Sequence, residues 1–373
     1  MGGQVADVIQ SGRVGEAEFA LIGHQENWPQ IAEIVRGLRP LGSAELPLDE
    51  IRSIVPWIPP RTVSRVRVES YPRQREAAGV YIDTFITPDE LASGTLRPLL
   101  AKVHAAADVA AREGARIASL GGFTSIVLER ALGELRQPLA FTTGNTLTAA
   151  LLVHGITAAA AKIGITLAEA DVVIVGGTGD IGSGCARWLA PRVGRLQLAA
   201  RHHGRLAADV DRLRVTGHNV TAVTDLNASI GRADVVLAVA SMAAPSVDAG
   251  IAPSGALLCD AGYPKNLIVA GREPRHIFWG GMGVARGGIR SDDGMLERFY
   301  RFPVTNVGHG CMLEALLLAL AQRYEPFSTG RGNITPARID EIWRLAQEHG
   351  FALAPFFNGS GLWRATTMPT VAA

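Results

Sequence analysis

The sequence predicts an α/β protein: a doubly wound Rossmann domain with a smaller N-terminal α/β domain and a C-terminal helical element. Three observations carry this. An apolar strand-like stretch, Asp171-Val-Val-Ile-Val175, runs directly into a glycine loop, Gly176-Gly-Thr-Gly-Asp-Ile-Gly182, and a helical pattern follows. Beyond the loop, short apolar segments alternate with helical ones as far as Asp260, as a parallel sheet requires. Before it, a separate alternation of strands and helices fills residues 19–146. The expected division is a flexible leader (1–18), an N-terminal α/β domain (19–146), a Rossmann domain (147–305), C-terminal helices (306–358) and a tail (359–373).

Taken in order, Phe19–Gly23 reads as the first strand, and Trp28–Leu38 as an amphipathic helix with Ile31, Ile34, Val35 and Leu38 on one face. After a connector holding Pro56, Pro59 and Pro60, two strands are expected at Val63–Val68 and Gly79–Ile86. Thr87-Pro88-Asp89-Glu90 has the pattern of a capping box with proline in the first turn. Helical periodicity then runs to Arg112, an apolar segment ends at Leu120, and Gly121–Ser125 opens another helix. Thr142–Thr146 precedes a long alanine-rich helix, Leu147–Ile163, which delivers the chain to the glycine loop. Strands are expected at 195–200, 219–223, 234–240 and 256–260, with a helix at 203–215. Residues 280–294 read as a glycine-rich loop, and helices are expected at 309–324 and 336–349 with a frayed tail after Asn358.

Bulk properties exclude several classes. Thirty-six basic residues against 35 acidic ones give a net charge of +1, which offers no global attraction to nucleic acid or to an anionic membrane. The first twenty residues lack the basic-then-apolar pattern of a signal peptide, and the longest aliphatic run, Ala315–Ala321, is too short to span a bilayer. Cys185, Cys259 and Cys311 share no CxxC spacing, so free thiols in a cytoplasmic, reducing setting are expected.

The glycines of the loop fall at 176, 179 and 182, a GxxGxxG variant of the dinucleotide fingerprint. In such a loop one glycine permits the turn, another lets backbone approach a pyrophosphate, and the third lets the helix pack closely. Gly176, Thr178, Gly179, Asp180, Ile181 and Gly182 are the expected phosphate-binding residues. The next strand ends in Ala199-Ala-Arg-His-His203 with no acid between Leu196 and Ala208. An acid there would hold the 2′-hydroxyl of NAD; Arg201 suits a 2′-phosphate, so NADPH is the expected cofactor. Ser241, at the end of another strand, is placed to approach the nicotinamide.

Cys311 follows a glycine-flanked turn at a helix start, Gly308-His-Gly-Cys-Met-Leu-Glu-Ala-Leu316. Helix amides and dipole favour a thiolate there, but about 0.3–1 kcal/mol is less than one pKa unit. A cationic or basic neighbour is needed, and His309 or Lys265 would serve. His309 can approach Cys311 only from outside the helical turn, because residues i and i+2 of a helix diverge. Tyr263 and Lys265, in Asp260-Ala-Gly-Tyr-Pro-Lys-Asn266, sit after a strand at the carboxyl edge and are candidates for a proton donor and its electrostatic partner. His24 reads as structural, and Cys185 and Cys259 as core. Arg61, Arg65, Arg67, Arg73 and Arg75 form the densest basic stretch, a solvated face or a dock for an acidic partner.

Several segments together resemble one family, the long-chain acyl-[acyl-carrier-protein] reductases of cyanobacterial alkane biosynthesis. They are LIGH (21–24), YIDTFITPDEL (81–91), LGGFTSIVLE (120–129), FTTGNTLTA (141–149), VVIVGGTGDIGS (172–183), DAGYPKN (260–266) and the run from GCMLEALLL (310–318) to GRGNIT (330–335). They occur in family order and span about residues 19–357; residues 280–309 follow the family less closely. The resemblance implies an NADPH-dependent reduction of a fatty acyl thioester, on acyl carrier protein or CoA, to a fatty aldehyde through an acyl-enzyme. It puts the nucleophile on Cys311, the acyl chain in the N-terminal domain, and an aldehyde-consuming oxygenase downstream. Two other readings share parts of this pattern: an NADP-dependent dehydrogenase of the shikimate or methylene-tetrahydropterin type, and a non-enzymatic NADPH-binding regulator. A glutamyl-tRNA reductase-like enzyme would keep the thioester logic, but the chain has no long basic stripe for tRNA.

Overall fold

The computed structural model describes residues 16–25, 27–40, 42–93, 95–121, 138–241, 244–262, 264–269, 276–299, 301–330 and 332–363. The helix expected to open at Gly121 lies outside the described residues. Two compact units divide the chain. The first holds residues up to Thr148 with Gly283–Arg301 and Asn306–Ala352; the second holds Ala149–Met282, Phe302–Thr305 and the chain from Leu353 onward.

In the first unit β1 (Phe19–Gly23) is followed by α1 (Trp28–Gly37), α2 (Leu48–Ile54), β2 (Arg61–Ser70) and β3 (Arg75–Asp83). Then come α3 (Pro88–Ser93), α4 (Leu96–Arg112), β4 (Ile117–Leu120) and β5 (Ala140–Thr142), a strand the sequence reading did not anticipate. Asn27 caps α1 by accepting from the Gln30 amide at 3.0 Å, and the expected apolar positions Ile31, Ile34 and Val35 are buried. The capping box closes as expected: the Glu90 amide donates to Thr87 Oγ1 (3.1 Å) and the Thr87 amide to Glu90 Oε2 (2.8 Å). Strands β1, β3, β4 and β5 run parallel in the order β3-β1-β4-β5, and β2 pairs antiparallel with β3. Helix α4 buries Leu99, Val103, Ala106, Ala107 and Ala110 against one face of this sheet, with Ala20, Ile22, Val80 and Ile82.

The second unit begins within α5 (Asn145–Lys162), whose first turn belongs to the first unit. Its elements are β6 (Asp171–Val175), α6 (Asp180–Leu189), β7 (Arg195–Ala199), α7 (His203–Val215), β8 (Val220–Ala222), α8 (Leu226–Ile230), β9 (Val235–Ala238), β10 (Leu257–Asp260) and β11 (His276–Trp279). All six strands are parallel, in the order β11-β10-β9-β6-β7-β8. The order reverses at β6, so the crevice for a ligand opens at the carboxyl ends of β6 and β9. This is the doubly wound fold the alternation predicted.

The stretch 280–294, expected as a loop, instead contains β12 (Met282–Ala285) and β13 (Ile289–Ser291). Strand β13 pairs antiparallel with β2 and completes the first unit's sheet, β13-β2-β3-β1-β4-β5. Glycines masked these strands, although Gly287 and Gly288 serve only the tight turn: a Cβ on Gly287 would lie 2.1 Å from the Glu69 carbonyl oxygen. The chain continues through α9 (Met295–Phe299), β14 (Val307–His309), α10 (Gly310–Leu320), α11 (Pro336–Glu348) and β15 (Phe351–Leu353), and ends in a hairpin of β16 (Phe357–Asn358) and β17 (Gly361–Leu362).

Helix α10 was expected in a separate C-terminal helical element, and here the structure differs. It packs across β1 to β5 and shares no residue with the α4 cluster, so it covers the opposite face of the first unit's sheet. Met312 through Leu320 are all buried, as an all-round apolar helix demands. Beyond Asn358, where a frayed tail was expected, the Trp363 indole donates to the Ile277 carbonyl at 2.7 Å and packs against the rings of Phe278 and Phe356. Nor do residues 16–18 lie loose: Ala17 is buried, and the Glu18 carboxylate accepts from Tyr324 (2.7 Å) and Arg75.

Four of the five arginines of the basic stretch pair with the unit's own acids. Arg65 pairs with Glu113 (3.6 Å), Arg67 with Glu76 (3.0 Å) and Asp292 (3.8 Å), Arg73 with Glu348 (2.8 Å), and Arg75 with Glu18.

At the end of β3, Asp83 is 1% exposed and accepts from Gln25 Nε2 (2.8 Å) and the Phe85 amide (2.7 Å). Burial pushes its pKa from 3.8 up to about 6, although Gln25, Phe85 and Lys102 pull it down. The folded state therefore holds the Asp83 proton more tightly, and this contribution to stability, complete below about pH 4, is lost as pH rises through about 6. Asp83→Asn is expected to remove that dependence. Between pH 4 and 7 its unfolding free energy should fall less than the wild type's, by at most about 3 kcal/mol; parallel urea-denaturation profiles for the two proteins would refute the assignment.

Candidate active site

The candidate side chains form two groups, one in each unit. In the second unit the glycine loop joins β6 to α6. Gly176 has φ +94°, and a Cβ there would lie 2.8 Å from Ala240 Cα. A Cβ on Gly182 would lie 2.2 Å from the Gly176 carbonyl oxygen, so the helix can approach the strand only with glycine at this position. Gly179, the N-cap of α6, is exposed, and the nearest atom to a Cβ there is the Gly176 oxygen at 3.2 Å. The three glycines thus divide the work as turn, close helix packing and open backbone. The cradle at Gly179 fits a diphosphate approaching the first turn of α6. Thr178 is buried, whereas Asp180 and Ile181 are half-buried in that turn.

The mouth of the loop is framed by the ends of β7 and β9. The Gly176 and Gly177 amides both donate to the Ala199 carbonyl (2.8 and 3.0 Å). Arg201, two residues on, is exposed and its guanidinium donates to the Ser241 carbonyl at 3.3 Å. The two residues expected to contact the cofactor, Arg201 and Ser241, therefore touch each other.

The sequence reading missed what holds this edge. Asn266 is fully buried; its Oδ1 accepts from the Ala240 amide (2.9 Å) and its Nδ2 donates to the Ala240 carbonyl (3.0 Å). Asp260, also buried, accepts from the amides of Gly262 (2.9 Å), Asn266 (3.0 Å) and Leu267 (2.9 Å). The DAGYPKN segment is therefore a scaffold that pins Ala240 where Gly176 meets it. Lys265 donates to the Asp260 carbonyl at 3.4 Å and lies 5.1 Å from the Trp279 ring centroid. Tyr263 lies outside the described residues.

The other group lies in the first unit. Cys311 occupies the first turn of α10 and is half-buried. Cys185 and Cys259 are fully buried; burial pushes the Cys185 thiol up to about 12 and the Cys259 thiol well above its ordinary value. Both are core, as expected, and Cys311 alone of the three cysteines reaches solvent. His309 is the N-cap of α10, with extended backbone at φ −71° and ψ 145°. It thus stands before the helical turn, the one placement from which it can approach Cys311.

Two glycines bring the starts of α5 and α10 together. Gly144 has φ +68°, and a Cβ on it would stand 2.2 Å from Cys311 Cα. A Cβ on Gly310 would stand 2.5 Å from Thr148 Oγ1 and 2.6 Å from Thr148 Cα. Glu314, one turn beyond Cys311, is fully buried. Its carboxylate accepts from Thr142 Oγ1, the Leu147 amide (2.8 Å) and Ser328 Oγ (2.6 Å). Burial raises its pKa, while Ser328, Thr142, Leu147 and the charge of Arg338 lower it. The sequence did carry a signal for Glu314, since a lone acid inside an apolar helix is buried only where donors meet it. Thr142 and Ser328, distant in sequence, carried none.

Among the described residues no group of three or more His, Cys, Asp or Glu side chains could hold a metal ion, and no helix is long and apolar enough to cross a membrane.

No family model matches the chain. It is 32% identical over 352 residues to a long-chain acyl-[acyl-carrier-protein] reductase of Synechococcus elongatus, covering 89% of this chain and 98% of that protein. It is 28% identical over 256 residues to the aminotransferase PigE of a Serratia species, covering 65% of this chain and 28% of that protein. Among solved structures, glutamyl-tRNA reductase from Methanopyrus kandleri aligns over 70% of this chain and 55% of its own, with 17% identity and a TM-score of 0.29. A transhydrogenase from Sinorhizobium meliloti aligns over 44% and 60%, with 13% identity and a TM-score of 0.31. Scores this low bear on neither fold nor function.

The close approach at Gly144 is directly testable. Gly144→Ala adds a Cβ against Cys311 and forces a left-handed φ on alanine, so it is expected to cost about 2–4 kcal/mol of stability. Urea denaturation measures the loss, and a variant as stable as the wild type would show that the turn does not bear on Cys311.

Proposed function

The chain belongs to the long-chain acyl-[acyl-carrier-protein] reductase family, and from that premise we propose that it reduces a long-chain acyl thioester to the fatty aldehyde. The acyl group arrives on acyl carrier protein or CoA, and the electron donor is NADPH. The observation that carries the reading is Cys311, the only one of three cysteines to reach solvent, at the start of a helix.

In this reading the Cys311 thiolate attacks the thioester carbonyl, the carbon–sulfur bond to the carrier breaks, and the carrier thiol leaves with a proton. The acyl group stays on Cys311 as a new thioester. The Gly176–Gly182 loop would hold NADPH, which would supply the hydride needed to reduce that thioester. The resulting hemithioacetal collapses by breaking the bond to Cys311 Sγ, and aldehyde departs as the thiolate re-forms. Backbone amides in the first turn of α10 support the oxyanion at both additions, and His309 at the N-cap manages the proton. Gly179, Asp180 and Ile181 bind the diphosphate and Arg201 the 2′-phosphate. The aldehyde product calls for an aldehyde-consuming oxygenase downstream, and the free thiols suit the cytoplasm.

Cys311→Ala is expected to lower turnover of palmitoyl-acyl-carrier-protein by at least ~10³-fold. Without NADPH, the wild type should carry a palmitoyl adduct on Cys311 by peptide mass spectrometry; wild-type turnover by the variant, or no adduct, would sink the covalent mechanism. Arg201→Ala should raise KM for NADPH about 10-fold through loss of a charged contact and leave KM for NADH unchanged. An equal change in both would show that Arg201 does not read the 2′-phosphate.

A further inference from the structure

We propose that Glu314 is a positioning residue for Cys311: it fastens the Thr142–Leu147 turn against the cysteine's backbone and so fixes where an acyl carbonyl meets the sulfur. This rests on the acyl-enzyme reading above. Glu314 and Cys311 are three residues apart on α10 and so lie on one face of the helix. The two carboxylate oxygens reach opposite ends of one short turn. Thr142 Oγ1 donates to Oε1, and the Leu147 amide donates to Oε2 at 2.8 Å. Between these anchors lies Gly144, the residue that runs against Cys311 Cα.

Ser328 supplies the third leg. Its Oγ lies 2.6 and 2.8 Å from the two carboxylate oxygens and accepts from the Thr146 amide at 2.9 Å, while Thr143 Oγ1 donates to the Ser328 carbonyl at 2.9 Å. Residues 142, 143, 146 and 147 are thereby all tied, directly or through Ser328, to Glu314. Three donors converge on the carboxylate, which is acceptor-only and takes them all. Glutamine keeps part of the clamp if the two hydroxyls turn, but its amide N–H groups oppose one of the donors; alanine removes the clamp. The carboxylate also caps the first turn of α5, where negative charge is favourable. Fully buried, with both oxygens engaged inside the fold, Glu314 acts on the reaction through the turn rather than by touching substrate.

The test uses the full-length protein, Glu314→Gln and Glu314→Ala, and Leu316→Ala as a control that leaves a cavity in the same helix outside the clamp; Leu316 is fully buried. Two readouts are taken below the melting temperature of every variant. One is kcat and KM for palmitoyl-acyl-carrier-protein with NADPH. The other, which needs neither substrate nor cofactor, is the iodoacetamide alkylation rate of Cys311 by peptide mass spectrometry, with Cys185 and Cys259 reporting any global opening. A loosened reacting geometry is expected to lower kcat about 100-fold in Glu314→Ala and about 10-fold in Glu314→Gln, with KM within about 2-fold. Alkylation of Cys311 should rise in both while Cys185 and Cys259 stay unlabelled, and Leu316→Ala should keep wild-type kcat. If Glu314→Ala does not fold, Glu314→Gln decides alone by the same two measurements. Wild-type kcat in Glu314→Gln, or an equal loss of kcat in Leu316→Ala, would overturn the inference. Turnover that survives Cys311→Ala would instead overturn the acyl-enzyme reading on which it rests.

Discussion

A carboxylate buried in an otherwise apolar helix is the interaction on which the first unit depends. Helix α10 packs across β1 to β5 because its residues are apolar around the whole circumference. Glu314 breaks that pattern, and a buried carboxylate without donors would be costly. Hydrogen bonds to a charged group contribute about 1.5–3 kcal/mol each, and three donors meet this one. One of these bonds satisfies the Leu147 amide, which the first turn of α5 would otherwise leave unpaired. One side chain thus fixes the depth of α10 in the unit, the start of α5 and the turn beside Cys311.

The second unit solves a similar problem with a side-chain amide and a carboxylate behind it. The end of β9 must stand beside the glycine loop, and Asn266 holds it by pairing with both the amide and the carbonyl of Ala240. Asp260 in turn holds Asn266 through its backbone amide. Gly176 permits the approach, because any side chain there would strike Ala240. In both units a glycine creates the close contact and a buried polar side chain maintains it, which fixes the backbone beside Cys311 and at the glycine loop without spending an exposed residue on support.

The charged surface is self-matched in the same spirit. Arg65, Arg67 and Arg75 of β2 and β3 meet glutamates and aspartates of their own unit, pairs that contribute little each when exposed.

Much of this was legible in the sequence. Period-2 and period-3.6 patterns gave most strands and helices, the capping box at Thr87 closed as read, and the glycine spacing located the turn between β6 and α6, because these features depend on residues near one another in the chain. The solitary acid in GCMLEALLLAL was a signal left unread. Sequence alone determined that a glycine loop follows the central strand, that Arg201 rather than an acid ends the next one, and that Cys311 begins an apolar helix. Only the tertiary structure decided that 280–294 supplies a strand to the first unit, that α10 lines that unit's core, and that Thr142, Leu147 and Ser328 converge on Glu314. Those partners lie up to 172 residues apart, and no local propensity or spacing encodes a contact over that distance; it exists only once the sheet has been assembled and α10 has been laid across it.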